Sequence, residues 1–240
     1  MSDLLDLLTI VVPTYSRQHL LSRLASYSDF ISVKVIVLDG SATSSSHDFS
    51  SNQYLQYLHL PASSREDDFP QGSLFRRLDI GFKSVSTKYS VLMPDDEVYS
   101  PSALAKCVAF LEANTEYSAC RGPAYRLEDG KIVRKYPSIH PSNVQSLDPW
   151  QRATTHFSDY SPLFFYSVSR VDIQRSFFSS MQSFAHLPVF GWLELFYEAF
   201  CCSLGPCMII PDSYELRGFE KKLPRNSSVT PFLNFYLSSS

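Results

Sequence analysis

"KYSVLMPDDEVYS", residues 88–100, decides how this chain is read. A strand-forming apolar run, Tyr89 to Met93, breaks at Pro94 into three consecutive acids, Asp95, Asp96 and Glu97. Like charges repel, and taking them out of water is costly. A buried strand ending this way is expected to hold something positive at its tip, most simply a divalent cation carrying a phosphate. Carboxylates with no imidazole or thiol beside them suit a hard ion, Mg²⁺ or Mn²⁺.

Upstream, the same strand grammar repeats. Leu7 to Val12 is an apolar strand stopped by Pro13, and Val33 to Leu38 is a second, ending in Asp39-Gly40-Ser41. Tyr54 to Leu60 is a short third. Between them, Leu20, Leu21, Leu24 and Tyr27 recur at helical spacing, as do Leu74, Phe75, Leu78 and Phe82. Downstream, Ser100-Pro101 is a cap and first turn for a helix over 102–115. Near-continuous apolar strands separated by helices argue for an α/β fold, a three-layer α/β/α sandwich on a mostly parallel sheet. The second half is more mixed. Residues 124–136 alternate around Asp129-Gly130, a hairpin signal. Pro137 to Pro149 reads as a loop, Leu163 to Val168 as a strand followed by a short helix, and 190–204 as a helix closed by Gly205. Residues 207–220 read as a strand and an extended arm, and 221–240 as a polar tail. No repeat or linker divides the chain, so one domain over 1–240 is expected: a ligand-binding half (1–115), a second half (116–220) and the tail.

Composition narrows the function. The formal charge is −3 with no basic stripe, which disfavours nucleic acid. The N-terminus lacks the basic leader and cleavage site of a signal peptide, and Glu194 and Glu198 interrupt the most apolar later stretch. A soluble, cytoplasmic protein is expected, with peripheral membrane association left open. The five cysteines show no C-x-x-C pair and read as buried free thiols. His140, His156 and His186 lack metal-ligand spacing. No G-x-G-x-x-G or G-x-x-x-x-G-K-[ST] occurs, so phosphate charge must be met by a metal and by arginines. Arg17, Arg76, Arg77 and Arg217 are the candidates. Arg76 and Arg77 diverge by about 100° on a helix, so only one faces a site.

"TIVVPTYSR", "VKVIVLDGS" and "GFKSVSTKYSVLMPDDEV" together resemble the nucleotide-binding half of GT-A-fold glycosyltransferases of the broad family 2 type. The resemblance spans residues 8–112 and extends more loosely to 191–220. It implies a metal-dependent transferase of polysaccharide-building type, probing a nucleoside-diphosphate sugar (a UDP-sugar favoured) against a glycan or lipid-linked acceptor, with inversion. It also implies that Pro13, Thr14 and Tyr15 line the nucleotide pocket, that Asp39 contacts the base, and that Asp95, Asp96 and Glu97 hold ribose and metal. Pro94 stands where the family has its first aspartate. Asp96 is therefore favoured as the principal metal ligand, with Asp95 and Glu97 as partners and the register open. The general base is expected in the second half: Glu194 after its Gly-Trp turn, with Asp159 as the competitor. Trp192 is a candidate acceptor-sugar platform, and Arg217 a candidate group for the departing diphosphate. Two other readings compete: a degenerate module that binds without turnover, and a sugar-1-phosphate nucleotidyltransferase. The latter would need a glycine-rich basic loop that "PTYSRQHLL" lacks.

Overall fold

The computed structural model describes residues 2–61, 70–128, 131–135, 144–184 and 190–217. The chain runs α1 (Ser2–Leu5), β1 (Leu8–Thr14), α2 (Leu21–Ile31), β2 (Lys34–Asp39), β3 (Leu55–His59), α3 (Pro70–Ser84), β4 (Tyr89–Leu92), β5 (Val98–Tyr99) and α4 (Pro101–Ala113). It continues with β6 (Ala119–Arg121), β7 (Ala124–Glu128), β8 (Lys131–Lys135), α5 (Pro149–Ser158), β9 (Val168–Arg170), α6 (Val171–Met181), α7 (Phe190–Leu204), β10 (Cys207–Ile209) and β11 (Glu215–Arg217).

Seven strands form the main sheet in the order β10-β6-β9-β4-β1-β2-β3. β4, β1, β2 and β3 are mutually parallel, and β9 alone runs against its neighbours β4 and β6. Side chains alternate across each strand. Ile10, Val12, Val35, Val37 and Val91 therefore pack with α2 and α4 on one face. Val11, Ile36, Leu38 and Leu92 pack with α3, α6 and α7 on the other. Burial on both faces explains why these strands are apolar throughout rather than alternating. The expected sandwich is the observed one. A second sheet, β5-β11-β7-β8, flanks it.

The cap of α4 forms as its sequence requires: Ser100 Oγ accepts from Ala103 N and Pro101 takes the first turn, a device worth about 1 kcal/mol. One expectation needs correction, and two stretches gain detail. Residues 149–158 are a helix, α5, with Asp148 as N-cap accepting from Trp150 N. The expected strand from Leu163 begins only at Val168, and Phe164–Tyr166 make a 3₁₀ turn. The cause is Glu198 on α7, whose carboxylate accepts from the backbone N–H of Leu163, Phe164 and Phe165 at 2.9, 3.0 and 2.9 Å. Those donors are unavailable to a sheet ladder. The extended arm after β10 carries β11, which pairs with β5 and β7. β7 and β8 pair antiparallel as the hairpin signal predicts; residues 129–130 and the tail lie outside the described residues.

Where the two sheets meet, Arg121 and Glu215 form an ion pair at 2.8 Å with both side chains 1% exposed. Arg121 also donates to the carbonyls of Gly122, Pro162 and Leu163, so the buried guanidinium is fully engaged. All five cysteines are buried free thiols, as expected. Among the described residues no helix is long and apolar enough to cross a membrane.

Candidate functional site

The order of the parallel strands fixes where a ligand can sit. From β1 the chain proceeds to β2 and β3 on one side, then returns through α3 to β4 on the other. The crevice outside the carboxyl ends of β1 and β4 is the switch point, where such sheets bind ligands. A cleft of about 200 Å³ opens there. Pro13 and Arg17 line it from the end of β1, and Asp95 and Asp96 from the end of β4. Phe165 and Tyr166, from the turn held by Glu198, close the far side.

The three acids of the opening stretch diverge. Asp95 is buried; its Oδ2 accepts from Thr14 Oγ1 at 2.7 Å and its Oδ1 from Arg17 Nη1 at 2.5 Å. Its backbone carbonyl accepts from Arg23 Nη2 at 2.5 Å. Burial pushes the Asp95 carboxyl above its ordinary range, against the pull of Thr14 and Arg17. Asp96 is one-third exposed, 34%, with Arg17 Nη2 at 3.6 Å. Glu97 turns inward, 1% exposed, into an ion pair with Arg217. The Arg217 guanidinium lies 5.5 Å from the centre of the Tyr166 ring, so it borders the cleft. Among the described residues no three His, Cys, Asp or Glu side chains converge as a metal site. Of the three acids expected around one ion, Asp95 and Asp96 line the cleft together and share Arg17, whereas Glu97 pairs with Arg217. Asp96 is the more exposed of the two acids that line the cleft. One carboxylate, completed by phosphate oxygens and water, is an ordinary Mg²⁺ arrangement, which the partly exposed Asp96 fits.

Asp39 is wholly buried at the tip of β2. Oδ1 accepts from Ser41 N and Oγ, and Oδ2 from Tyr57 Oη at 2.6 Å and Gln18 Nε2 at 3.1 Å. Burial alone would raise this carboxyl, but these hydrogen bonds hold it below its ordinary range. Asp39 therefore organises Gln18 and Tyr57 around itself. Thr14 is buried behind Asp95, whereas Tyr15 is 58% exposed. The change of direction between Tyr15 and Arg17 falls on Ser16, whose φ is 55°, in the left-handed region non-glycine residues rarely visit.

Of the arginine pair on α3, Arg77 turns inward beside Gly40 and Tyr15, and Arg76 does not. Arg76 donates to Pro61 O at 2.7 Å on the surface. Arg77 is buried, with Ser73 Oγ 3.2 Å from its Nη1 and its guanidinium 5.9 Å from the Tyr15 ring centre. It lies so close over Gly40 that a Cβ there would fall 1.4 Å from Nη1. A side chain at position 40 would displace the Arg77 guanidinium from this seat, and Arg76, expected at the nucleotide site, lies instead on the surface.

On the second half, Glu194 is partly buried on α7 and accepts from Tyr160 Oη at 2.7 Å. Burial raises its carboxyl, an effect Tyr160 opposes, Glu198 adds to and Lys135 opposes. Lys135, on β8, is itself lowered to about 8 by burial. Glu198, one turn on, is wholly buried and adds His156 Nε2 at 2.8 Å to its three backbone donors. Asp159 is an exposed C-cap of α5, which removes it as a competitor for a desolvated base. Trp192 is 47% exposed beside Phe196. Sequence reading missed Arg23, Gln18, Tyr57, Tyr160 and Tyr166 at this site. None sits in a motif, and only the fold brings them together.

No protein-family model matches the chain, and no curated protein matches its sequence. Solved structures do match its fold. S. aureus TarS 1-349 aligns with a TM-score of 0.59 at 12% identity, over 88% of this chain and 60% of that one. TarS 1-349 in complex with UDP-GlcNAc aligns with a TM-score of 0.60 at 12% identity, over 92% and 61%. A complex of TarS 1-349 with UDP aligns at 0.56 and 12%, over 87% and 59%. The chain thus spans about 60% of the length of these structures. At such identity the likeness is one of fold, and that fold is the GT-A-like sandwich expected from residues 8–112.

Proposed function

We propose that the chain transfers a glycosyl group from a nucleoside-diphosphate sugar, a UDP-sugar first among them, to an acceptor hydroxyl on a glycan or lipid-linked carrier. The observation that carries this reading is the cleft at the β1/β4 switch point, where Asp95 and Asp96 meet Arg17. The UDP and UDP-GlcNAc bound by TarS 1-349, which shares the fold, support the donor class.

In this reading Tyr15, exposed at the end of β1, meets the base, and Gln18 and Tyr57, fixed by Asp39, meet the nucleoside. Arg17, Arg77 and Arg217 offset the charge of the diphosphate. A Mg²⁺ or Mn²⁺ on Asp96 would supply Lewis-acid stabilisation of the leaving diphosphate. Glu194 is the general base. The acceptor oxygen attacks the anomeric carbon as the bond to the diphosphate breaks; the electron pair leaves with the diphosphate and the hydroxyl proton passes to Glu194. Tyr160 holds Oε1, leaving Oε2 for that proton. A carboxyl raised by burial is suited to a base working near neutrality. Attack opposite the leaving group inverts the anomeric centre.

Calorimetric titration with UDP, with and without Mn²⁺, tests the donor site. The wild type is expected to bind UDP more tightly with Mn²⁺, and Asp96→Asn to lose that gain. A wild type that binds no UDP under either condition rejects the reading. A second reading, a module that binds without turnover, has one observation in its favour: Glu194 is not among the residues lining the cleft. Slow Mn²⁺-dependent hydrolysis of a bound UDP-sugar, lost in Glu194→Gln, would exclude it.

A further inference from the structure

We infer that Gln18, and not Asp39, reads the base of the donor, its side-chain Oε1 accepting from the N3–H of uracil. This deepens the donor-site reading above and rests on it. β1 and β2 run in register to their ends, with Thr14 beside Asp39, so the loops that follow leave the sheet side by side. Ser16 N donates to Ser41 Oγ at 3.0 Å and ties the two loops together. Gln18 opens a 3₁₀ turn directly after Arg17, which lines the cleft. The exposed ring of Tyr15 belongs to the same loop.

The acid at the tip of β2 has no accepting position left for a base. Asp39 is 0% exposed. Its Oδ1 accepts from Ser41 N and Oγ, and its Oδ2 from Tyr57 Oη and Gln18 Nε2. The groups around it are occupied as well. Tyr57 Oη donates to Asp39 and accepts from Ser45 N at 2.9 Å. Ser41 Oγ donates to Asp39 and accepts from Ser16 N, and the Ser41 carbonyl meets His59 Nε2 at 2.8 Å. Gln18 differs. Its Nε2 donates to Asp39 Oδ2 at 3.1 Å and to Thr43 O at 2.6 Å. Both partners are acceptors, so the amide must present its NH₂ to them and its orientation is fixed. Among the described residues none donates to Oε1. The cluster therefore holds out one acceptor, pinned by the two bonds of the nitrogen on the same amide. Such an acceptor favours a base that brings an N–H and opposes one that brings a lone pair. Uracil carries N3–H at the middle of its pairing edge, where cytosine carries a lone pair.

Calorimetric binding of UDP, CDP and N3-methyl-UDP, with and without Mn²⁺, tests the assignment with no turnover required. CDP lacks the N3–H without added bulk, and the methyl group removes it while leaving both carbonyls in place. Wild type is expected to bind UDP on the order of tenfold more tightly than either, because an acceptor left facing no donor is costly. In Gln18→Ala the UDP and CDP affinities are expected to converge to within about twofold, mainly through weaker UDP binding. Thermal unfolding checks that the variant folds. If it does not, Gln18→Met takes its place, keeping the length of the side chain without its carbonyl. Equal affinity for UDP and CDP in wild type overturns the inference, as does an undiminished preference for UDP in the folded variant. A wild type that binds no UDP rejects the donor-site reading and the inference with it, whereas UDP binding without preference rejects the inference alone.

Discussion

The strand-end rim and the α7 wall both bury carboxylates, and they neutralise them by opposite means. At the rim, Asp95 and Glu97 are met by guanidinium groups, Arg17 and Arg217. On the wall, Glu198 is met by three backbone N–H groups and His156. A guanidinium on a flexible stem can turn to an incoming phosphate. Backbone donors cannot move without undoing the turn they belong to. The rim is thus built to exchange partners and the wall to keep them; under the proposed donor-site reading a ligand's charge would be received on one side of the cleft while the other side holds its shape.

The largest test of that contrast is Glu198→Ala. It leaves three buried N–H groups and a histidine unpaired, and a loss of about 3–5 kcal/mol in denaturant unfolding is expected. A loss below about 1 kcal/mol would mean the turn does not depend on α7. Thr14→Val should cost less, about 1.5–3 kcal/mol, because it removes one hydrogen bond to a charged group while Arg17 remains. It should also push the Asp95 carboxyl higher, readable by carbon-detected NMR titration. Glu194→Gln sharpens the comparison through pH. The folded-state carboxyl is raised from its ordinary value of 4.5 by burial. The folded state therefore binds that proton more tightly than the unfolded one, and stability falls as pH rises from about 4.5 through the raised value. Glutamine should remove this part of the slope; an unchanged pH profile of the melting temperature would place Glu194 in solvent. The smallest effect belongs to Ser16→Asn. Asparagine tolerates the left-handed backbone at this position, so a gain of about 0.5 kcal/mol is expected with the rim otherwise intact.

The same contrast explains what could be read from sequence. β1, β2 and β4 are visible because both faces of each are buried, so their apolar runs are local and continuous. The acids after β4 are visible for the same reason. Their pairing is not: Arg17 is named by the block "TIVVPTYSR", but it lies 78 residues from Asp95 along the chain, and only the fold brings the two together. Arg76 and Arg77 show the limit of helical geometry: the spacing says that one faces inward, and only the close approach over Gly40 says which. The second half was harder still. The 3₁₀ turn at Phe164–Tyr166 occupies a segment with every mark of a strand, and a single distant carboxylate diverts it. The helix at 149–158 did carry a local sign, Asp148 before Pro149, an N-cap followed by a first-turn proline. It is hidden by the proline-rich stretch it follows.

The interior sulfur chemistry has a practical consequence. Cys107, Cys120, Cys201, Cys202 and Cys207 are all shielded, and burial pushes the thiols of Cys201, Cys202 and Cys207 up, away from the reactive thiolate. Alkylating reagents should leave the native molecule almost untouched and mark it only when it opens. The chain thus carries its own clock for transient unfolding, one that mass spectrometry can read without an introduced label.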